Sequence, residues 1–418
     1  MRVLHVVDGT FLPKMDGVVV SLLNNANYMA GKGHAVAIAA PEYKGYRDKK
    51  QKNITVHRFS AFSFPSYPEM RVPHLNLAAF RKLVLDFKPD IMHTHAPGTL
   101  GILALLLGKR YNIPVVTTYH TSFPDVLMYL SPSKLLKLDE FAERLSEKGQ
   151  TESLESIQQA LHDILARLKN SDAEERRREF SRSAVLSLTN VFYNKHEVVI
   201  SPSEGIRKDL KRHHLKSKVV VISNGIEIDK FRKKGKYRKF PKFLHVGRIA
   251  FEKKIDIILE ALAIVCRRYP KAQLTIVGKG PALGRLKRLS RKLRLTRNVK
   301  FAGFVKRDML PRIYRSHDVF VTASEMETQG IVLLEAIASG LPVIGVNVLA
   351  IPDVVHNKKT GFLVKRRDYK GMAKGMLRLI ENPELISKYG KNARAEAEKH
   401  NLAESCRKME RLYEEIIH

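Results

Sequence analysis

Through most of its length the chain alternates two kinds of segment. Short apolar runs rich in β-branched residues, bounded by Gly, Pro, Asn or Asp, have the pattern of strands buried on both faces. Six stand in the first half, "RVLHVV", "AVAIAA", "DIMHTH", "PVVTTYH", "EVVISP" and "KVVVIS". Six more follow, "KFLHVG", "AQLTIVG", "NVKFAG", "DVFVTAS", "LPVIGV" and "GFLV". Segments of helix length separate them, among them 17–31, 98–111 and 203–213. Such alternation predicts parallel sheets flanked by helices, and two series of it predict two doubly wound, Rossmann-like α/β domains. The break falls near "SNGIEIDKFRKKGKYRKFPK", where Asn224, Gly225 and a charged, Pro-containing stretch interrupt the pattern. The expected domains are 1–222 and 223–395, followed by a C-terminal helix within 396–418. In open parallel sheets ligands bind beyond the carboxyl ends of the strands, so the facing ends of two such domains would form a cleft.

Residues 133–182 break the alternation. Leu154, Ile157, Leu161, Ile164, Leu165 and Leu168 recur at helical spacing there, which predicts a helical insertion. It could pack on the first domain, shield an acceptor, or meet a membrane or partner.

One carboxylate stands against the hydrophobic pattern. In "EMETQGIVLLEAIASGLPVI", residues 325–344, Gly330 opens an apolar helix that Gly340 and Pro342 end. Glu335 lies inside it with Ile331, Val332, Ala338 and Ser339 as its neighbours at helical spacing. A helix apolar all round is buried, and a buried carboxylate needs a partner. That partner is either a Lys or Arg or a ligand with hydroxyls. At ~1.5 Å rise per residue, Glu335 sits roughly 7 Å beyond Gly330. The amides of Thr328, Gln329 and Gly330 would form the helix N-terminus, which attracts anions. One element could then hold a phosphate at its mouth, a diol at Glu335 and another hydroxylated group at Glu327, as a nucleotide-sugar site requires.

Composition narrows the classes. The chain has 418 residues, 44% of them hydrophobic, enough for two or three ordinary cores. Cys266 and Cys406 are its two cysteines, too few for a disulfide framework, so a reducing compartment fits. "MRVLHVVDGTF" has the form of a first strand, not a signal peptide, and no apolar run reaches spanning length. The expected location is cytoplasmic, peripheral on the inner face of the membrane. Lys and Arg number 74 against 42 Asp and Glu, a formal charge of +32, which suits an anionic partner. The basic residues cluster at 176–182, 207–218, 232–242 and 284–300. In the last of these, Leu283, Leu286, Leu289 and Leu293 mark a basic amphipathic helix, either a core-facing stripe with a solvated outer face or a surface for anionic lipid. No zinc-finger spacing, aromatic RNA-binding strand or helix-turn-helix accompanies the charge, so a specific nucleic-acid partner is not expected.

Further chemistry falls at strand ends. In "HVGRIAFEKKIDIILEAL", Arg248 and Lys253 stand between a strand and a helix, where two cations could hold a diphosphate and stabilise its charge as it leaves, without requiring a metal. "IVGKGP" carries Gly278 and Gly280, which permit close backbone approach to a nucleotide or serve the turn itself. "DGTFLPKMDGVVVSLL" runs into a helix near Gly17, whose backbone could approach a donor phosphate. It lacks GxGxxG spacing, which disfavours a nicotinamide site. His120 follows an apolar strand in "TTYHTSF", as a structural or a site histidine. His93 and His95 would share one strand face, with no adjacent ligand set to mark a metal site.

Together these motifs resemble glycosyltransferase family 4, retaining enzymes of the GT-B fold, over most of both domains apart from the insertion. The spacing from Glu327 to Glu335, followed by "AIASGLPVI", is the most specific part, and "ISNGIEIDKF", "GRIAFEKK" and "IVGKGP" occur in the family's order. The resemblance implies that Glu335 binds the donor ribose, that Glu327 contacts the transferred sugar, and that Arg248 and Lys253 hold the diphosphate. It places Gly17 and His120 on the first-domain side, His120 close to the sugar, and returns the C-terminal helix to that domain. One departure is Lys254, where the family often has Gly. "SEMETQGIVLLEA", "MDGVVVS", "FSFPSYPEMRVP" and "TYHTSFPDVLMYL" look most like members that glycosylate diacylglycerol or related lipids. The implied reaction moves a hexose from a nucleotide sugar, UDP ahead of GDP, to a lipid hydroxyl with retention and no further cofactor. Residues 62–75 would help form an apolar acceptor mouth. A soluble sugar or small-molecule acceptor is the alternative, and a non-catalytic basic scaffold is the alternative of another class. Neither the sugar nor the oligomeric state can be read from the sequence.

Overall fold

The computed structural model describes residues 1–64, 67–120, 189–231, 235, 237–238 and 240–418. The predicted insertion at 133–182, the basic run at 176–182 and the part of "TYHTSFPDVLMYL" beyond His120 lie outside the described residues. The chain divides into two compact units, one of residues 1–202, 207–222 and 408–418, the other of residues 203–206 and 223–407.

The first unit is built on strands β1 (Arg2–Val6), β2 (Ala35–Pro41), β3 (Ile54–Phe59), β6 (Ile91–Thr94), β7 (Val115–Thr118), β8 (Val198–Ser201) and β9 (Lys218–Val221), with β4 (Ala61–Phe64) and β5 (Tyr67–Pro73) forming a separate antiparallel pair. The seven run parallel in the order β3-β2-β1-β6-β7-β8-β9. Alternate side chains leave opposite faces of the sheet. Val3, Val7 and Val36 accordingly share one core with Val19 and Leu22 of helix Gly17–Gly31, whereas Leu4, Val6 and Ala37 share another with Phe80, Leu83 and Leu103. Met409, Leu412 and Tyr413, from helix Leu402–Ile417, complete the first of these cores. Glu410 on that helix accepts from Tyr28 Oη at 3.1 Å and meets His34 Nε2 at 2.8 Å.

Strand β3 and the hairpin were not foreseen. "ITVHRF" has polar residues at alternate positions because β3 is an edge strand, covered on one side only, and its burial alternates accordingly.

The second unit carries β10 (Lys242–Val246), β11 (Gln273–Val277), β12 (Val299–Gly303), β13 (Val319–Val321), β14 (Val343–Val346) and β15 (Gly361–Val364). They are all parallel, in the order β12-β11-β10-β13-β14-β15. Successive strands step outward from β10 in one direction and then, from β13, in the other. The gap between the carboxyl ends of β10 and β13 is therefore the switch point where a doubly wound sheet opens a crevice for ligands. The basic helix Leu283–Lys292 buries Leu286, and Leu283, Leu289 and Leu293 pack on the same core, so its leucine stripe faces the protein. Among the described residues, no helix is long and apolar enough to cross a membrane.

Candidate functional site

The switch point gathers most of the second-domain residues singled out above. After β10 the chain passes Gly247 and Arg248 into a short 3-10 turn, Phe251–Lys253, before helix Ile255–Arg268. Lys254, between them, takes the left-handed conformation at φ 47°, ψ 41°. The turn thus keeps the backbone that glycine gives readily, at a cost of roughly 1–2 kcal/mol for a residue with a Cβ.

Lys253 Nζ reaches across to Glu327 Oε1 at 2.6 Å, tying the β10 loop to the loop after β13. Burial raises the Glu327 pKa, and neighbours led by the Lys253 ammonium more than offset it, holding the carboxyl below its ordinary range. Glu327 is therefore an anion at neutral pH. Arg248 pairs with the buried Glu252 at 2.5 Å and keeps 41% of its side chain exposed. His245, near the end of β10, feels the charges of both Lys253 and Glu327. Its Nδ1 meets Val321 O at 2.9 Å, its Nε2 is buried without a hydrogen-bond partner, and burial lowers its pKa to about 4. Nδ1 must carry the proton, leaving Nε2 a bare acceptor beside Lys253. Sequence reading passed over His245 because "KFLHVG" is otherwise an ordinary strand.

Gly330 caps helix Ile331–Ala338 in the left-handed region, φ 73°. The helix is short because Gly340 and Pro342 stop it, and it carries Glu335 almost wholly buried, at 1% exposure. Both partners considered for this carboxylate bear on it. Tyr314 Oη donates to Oε2 at 2.8 Å, and Arg307 Nη1 lies 3.2 Å from Oε1. The Arg307 contact to Oε1 is an ion pair of poor hydrogen-bond geometry, and burial leaves the pKa raised despite Arg307 and Tyr314. Gln329 turns away from the helix mouth: its Oε1 accepts from Asn224 N at 2.8 Å and its Nε2 donates to Ser223 Oγ at 2.7 Å.

Gly278 and Gly280 have a use that requires no ligand. At φ 141° and 157°, they let the β11 loop lie on the β10 loop, where Ile249 N donates to Lys279 O at 2.8 Å and Ala282 N to Ile249 O at 3.0 Å.

In the first unit, Gly17 is exposed at the start of its helix, whose N-cap Asp16 accepts from Val19 N at 3.0 Å. His120 is buried just beyond β7 and joins a cluster that sequence reading grasped only in part. His93 and His95 share one face as expected, and β1 brings His5 into register with His93. One ring nitrogen from each of His5, His93 and His95 lies within 4.8 Å of the other two. Burial lowers the pKa of His5 and His120 to about 3, with Asn25 partly opposing the shift at His5, and holds His93 and His95 well below the ordinary value. The cluster is neutral at physiological pH.

Two doubly wound parallel sheets, each the centre of its own unit, are the architecture of the GT-B fold. The Anabaena Alr3699/HepE protein, crystallised with UDP-glucose, shares this fold at TM-score 0.68 and 17% identity, over 99% of this chain and 100% of that one. The family model described as Glycosyltransferase Family 4 matches residues 15–230, and that for glycosyl transferases group 1 matches 227–396. The chain belongs to glycosyltransferase family 4. Among curated relatives it is similar to the alpha-monoglucosyldiacylglycerol synthase of Streptococcus pneumoniae (strain ATCC BAA-255 / R6), at 26% identity over 85% of this chain and 73% of the relative. The enzyme of that name from Acholeplasma laidlawii is also 26% identical, over 97% of this chain and 95% of its own.

Proposed function

We propose that the protein is a retaining hexosyltransferase that moves a sugar from a nucleotide sugar, a UDP-sugar first, to the hydroxyl of a membrane lipid such as diacylglycerol. The observation that carries the donor half is Glu335. A buried carboxylate with one oxygen held by Tyr314 and the other met only by Arg307, whose side chain is 42% exposed, keeps acceptor capacity for a ribose hydroxyl. Arg248 and Lys253 then bind the diphosphate, with the amides from Thr328 to Gly330 at the helix mouth. Gly17 and His120 take the first-domain roles the resemblance gives them, and Glu327 meets the transferred sugar. The UDP-glucose bound by the Anabaena protein supports the choice of nucleotide.

In the reaction, the acceptor oxygen bonds to the anomeric carbon on the face from which the diphosphate departs. The carbon–oxygen bond to the diphosphate breaks, and a departing phosphate oxygen takes the acceptor's proton. Lys253 and Arg248 stabilise the negative charge that grows on the leaving group. Configuration is retained without a covalent enzyme intermediate.

The lipid half rests on the named activity of the two relatives, on the excess positive charge, and on the apolar surface of the first unit. Met15, Phe62, Leu75 and Leu77 are 45, 38, 41 and 49% exposed, and all lie in the loop before the first helix or along the β4–β5 hairpin and the segment after it. Incubation with a panel of UDP- and GDP-sugars, with and without anionic liposomes containing diacylglycerol, tests the reading by mass spectrometry of the products. A glycosylated lipid is expected. Nucleotide release without lipid product would move the acceptor to a soluble molecule, and failure to bind any donor would remove the transferase reading.

Two variants probe the halves separately. Glu335→Gln keeps the shape but weakens acceptance from the ribose, so donor Kd should rise about 10- to 100-fold, as for loss of a charge-assisted hydrogen bond of 1.5–3 kcal/mol. Unchanged affinity by calorimetry would contradict the ribose assignment. Phe62→Ser with Leu75→Ser removes two apolar anchors from the hairpin region. Vesicle binding by flotation should fall about tenfold or more, since full burial of each side chain contributes ~1.5–3 kcal/mol and roughly two-fifths of each is still exposed to be buried, while donor affinity stays unchanged.

A further inference from the structure

Strand β10 ends at the switch-point crevice, and its last side chain but one is a histidine with half its hydrogen-bonding capacity unused. His245 is 1% exposed, and its Nδ1 lies 2.9 Å from Val321 O. A carbonyl oxygen only accepts, so Nδ1 carries the proton of the neutral ring and Nε2 keeps a lone pair. Burial, which lowers the pKa to about 4, holds the ring in that neutral form at physiological pH. Nε2 is buried and finds no hydrogen-bond partner among the described residues. Buried polar atoms without a partner are rare in folded proteins, and one at a ligand crevice calls for a group that the ligand supplies.

The approach to the atom and the charge around it define that group. Gly247 is half-buried, and a Cβ built on it would meet one atom within 4 Å outside its chain neighbours, His245 Nε2 at 3.7 Å. The space over Gly247 is therefore open towards the lone pair. A bare lone pair repels an anionic oxygen and takes an O–H or N–H, so a hydroxyl fits there and a diphosphate oxygen does not. The sheet separates this hydroxyl from the ribose. By strand alternation His245 leaves the face on which Phe243 packs with helix Ile255–Arg268, whereas the helix carrying Glu335 packs with Leu244 and Val246 on the other. The charges that act on His245 are those of Lys253 and Glu327, the groups given above to the diphosphate and the transferred sugar.

We propose that His245 is a specificity-determining residue whose Nε2 accepts a hydrogen bond from one hydroxyl of the transferred sugar. This rests on the donor reading given above. It adds to Glu327 a second contact with the sugar, one that requires a hydroxyl and rejects an anion or an apolar substituent.

The test uses the full chain with UDP and UDP-glucose, the nucleotide without and with a sugar. A long-range ¹H–¹⁵N spectrum of histidine-labelled wild type reports the contact directly, with His245→Gln to assign the ring. Nε2 should be unprotonated in the free protein and should move towards the hydrogen-bonded acceptor range with UDP-glucose and not with UDP. A signal unmoved by either, or moved equally by both, overturns the proposal: the lone pair then meets no sugar hydroxyl. In His245→Leu, calorimetry should show UDP-glucose bound about tenfold more weakly, the size of one lost hydrogen bond, and UDP bound as before. Equal losses for both would make His245 a support of the loop and nothing more. Analogues of UDP-glucose with fluorine in place of each sugar hydroxyl in turn locate the contact, since fluorine cannot donate. One analogue should bind wild type about tenfold more weakly than UDP-glucose, and the same replacement should cost His245→Leu nothing. Penalties equal in the two proteins at every position would sink the idea. The two readings fail separately: wild type that binds neither UDP nor UDP-glucose removes the UDP-sugar donor and this contact with it, whereas UDP-glucose bound with Nε2 unmoved removes the contact alone.

Discussion

Lys253→Ala should lower kcat at saturating donor by about 10²–10³, the usual consequence of deleting one preorganised group that stabilises charge in the transition state. Lys253 is the better placed of the two cations. Its side chain is 20% exposed against 41% for Arg248, so its charge acts through less solvent, and Arg248→Ala should move in the same direction by a smaller factor. The complication is Glu327, which loses its partner when Lys253 goes. A buried, uncompensated carboxylate destabilises the loop and could lower activity indirectly. Lys253→Ala combined with Glu327→Ala separates the causes: thermal stability should recover relative to the single variant, and turnover should not. Wild-type turnover by folded Lys253→Ala at saturating donor would show that the leaving diphosphate does not depend on this cation.

The Lys253–Glu327 pair also marks where the sequence stopped being informative. Lys253 was identified from its loop at a strand end and Glu327 from its place ahead of the apolar helix, yet nothing in a separation of 74 residues says that they touch. Their contact follows from β10 and β13 being neighbours, a fact of strand order. Glu335 is similar. Its burial followed from the apolar helix around it, whereas Tyr314 and Arg307 reach it from a segment whose "KRDMLPRIYR" carries no signal beyond basic and helical. His5 was hidden in the first strand, because only register sets it beside His93. The strands that were recognised are those buried on both faces, where continuous apolarity is the signal. The edge strand β3 and the hairpin escaped for the opposite reason. Lys254 shows the limit from the other side: the absence of glycine left the turn open in sequence, and the fold holds the lysine in the left-handed region all the same.

The glycines of "IVGKGP" allowed two readings, approach to a ligand and service to a turn, and stability can decide between them in the apoprotein. A Cβ on Gly278 would lie 1.9 Å from Gly247 O, and one on Gly280 2.3 Å from Ile249 O. Both obstacles are backbone atoms, so no rotamer change relieves them. Both glycines also sit at positive φ. Gly278→Ala should therefore cost about 3 kcal/mol or more, combining overpacking with left-handed strain. For a unit of this size that corresponds to a fall in Tm on the order of 6–12 °C. Gly284, in helix Leu283–Lys292, is the control: a Cβ there meets nothing closer than Arg288 Nη1 at 3.8 Å, and Gly284→Ala should stabilise by about 0.5–1 kcal/mol. The displaced β10 loop carries Arg248 and leads into Lys253, so Gly278→Ala should also weaken donor binding. The order of events discriminates. A large loss of Tm without donor makes the glycine part of the loop stack, with the site following from it. An unchanged Tm with donor affinity lost would mean instead that the space over Gly278 belongs to the nucleotide.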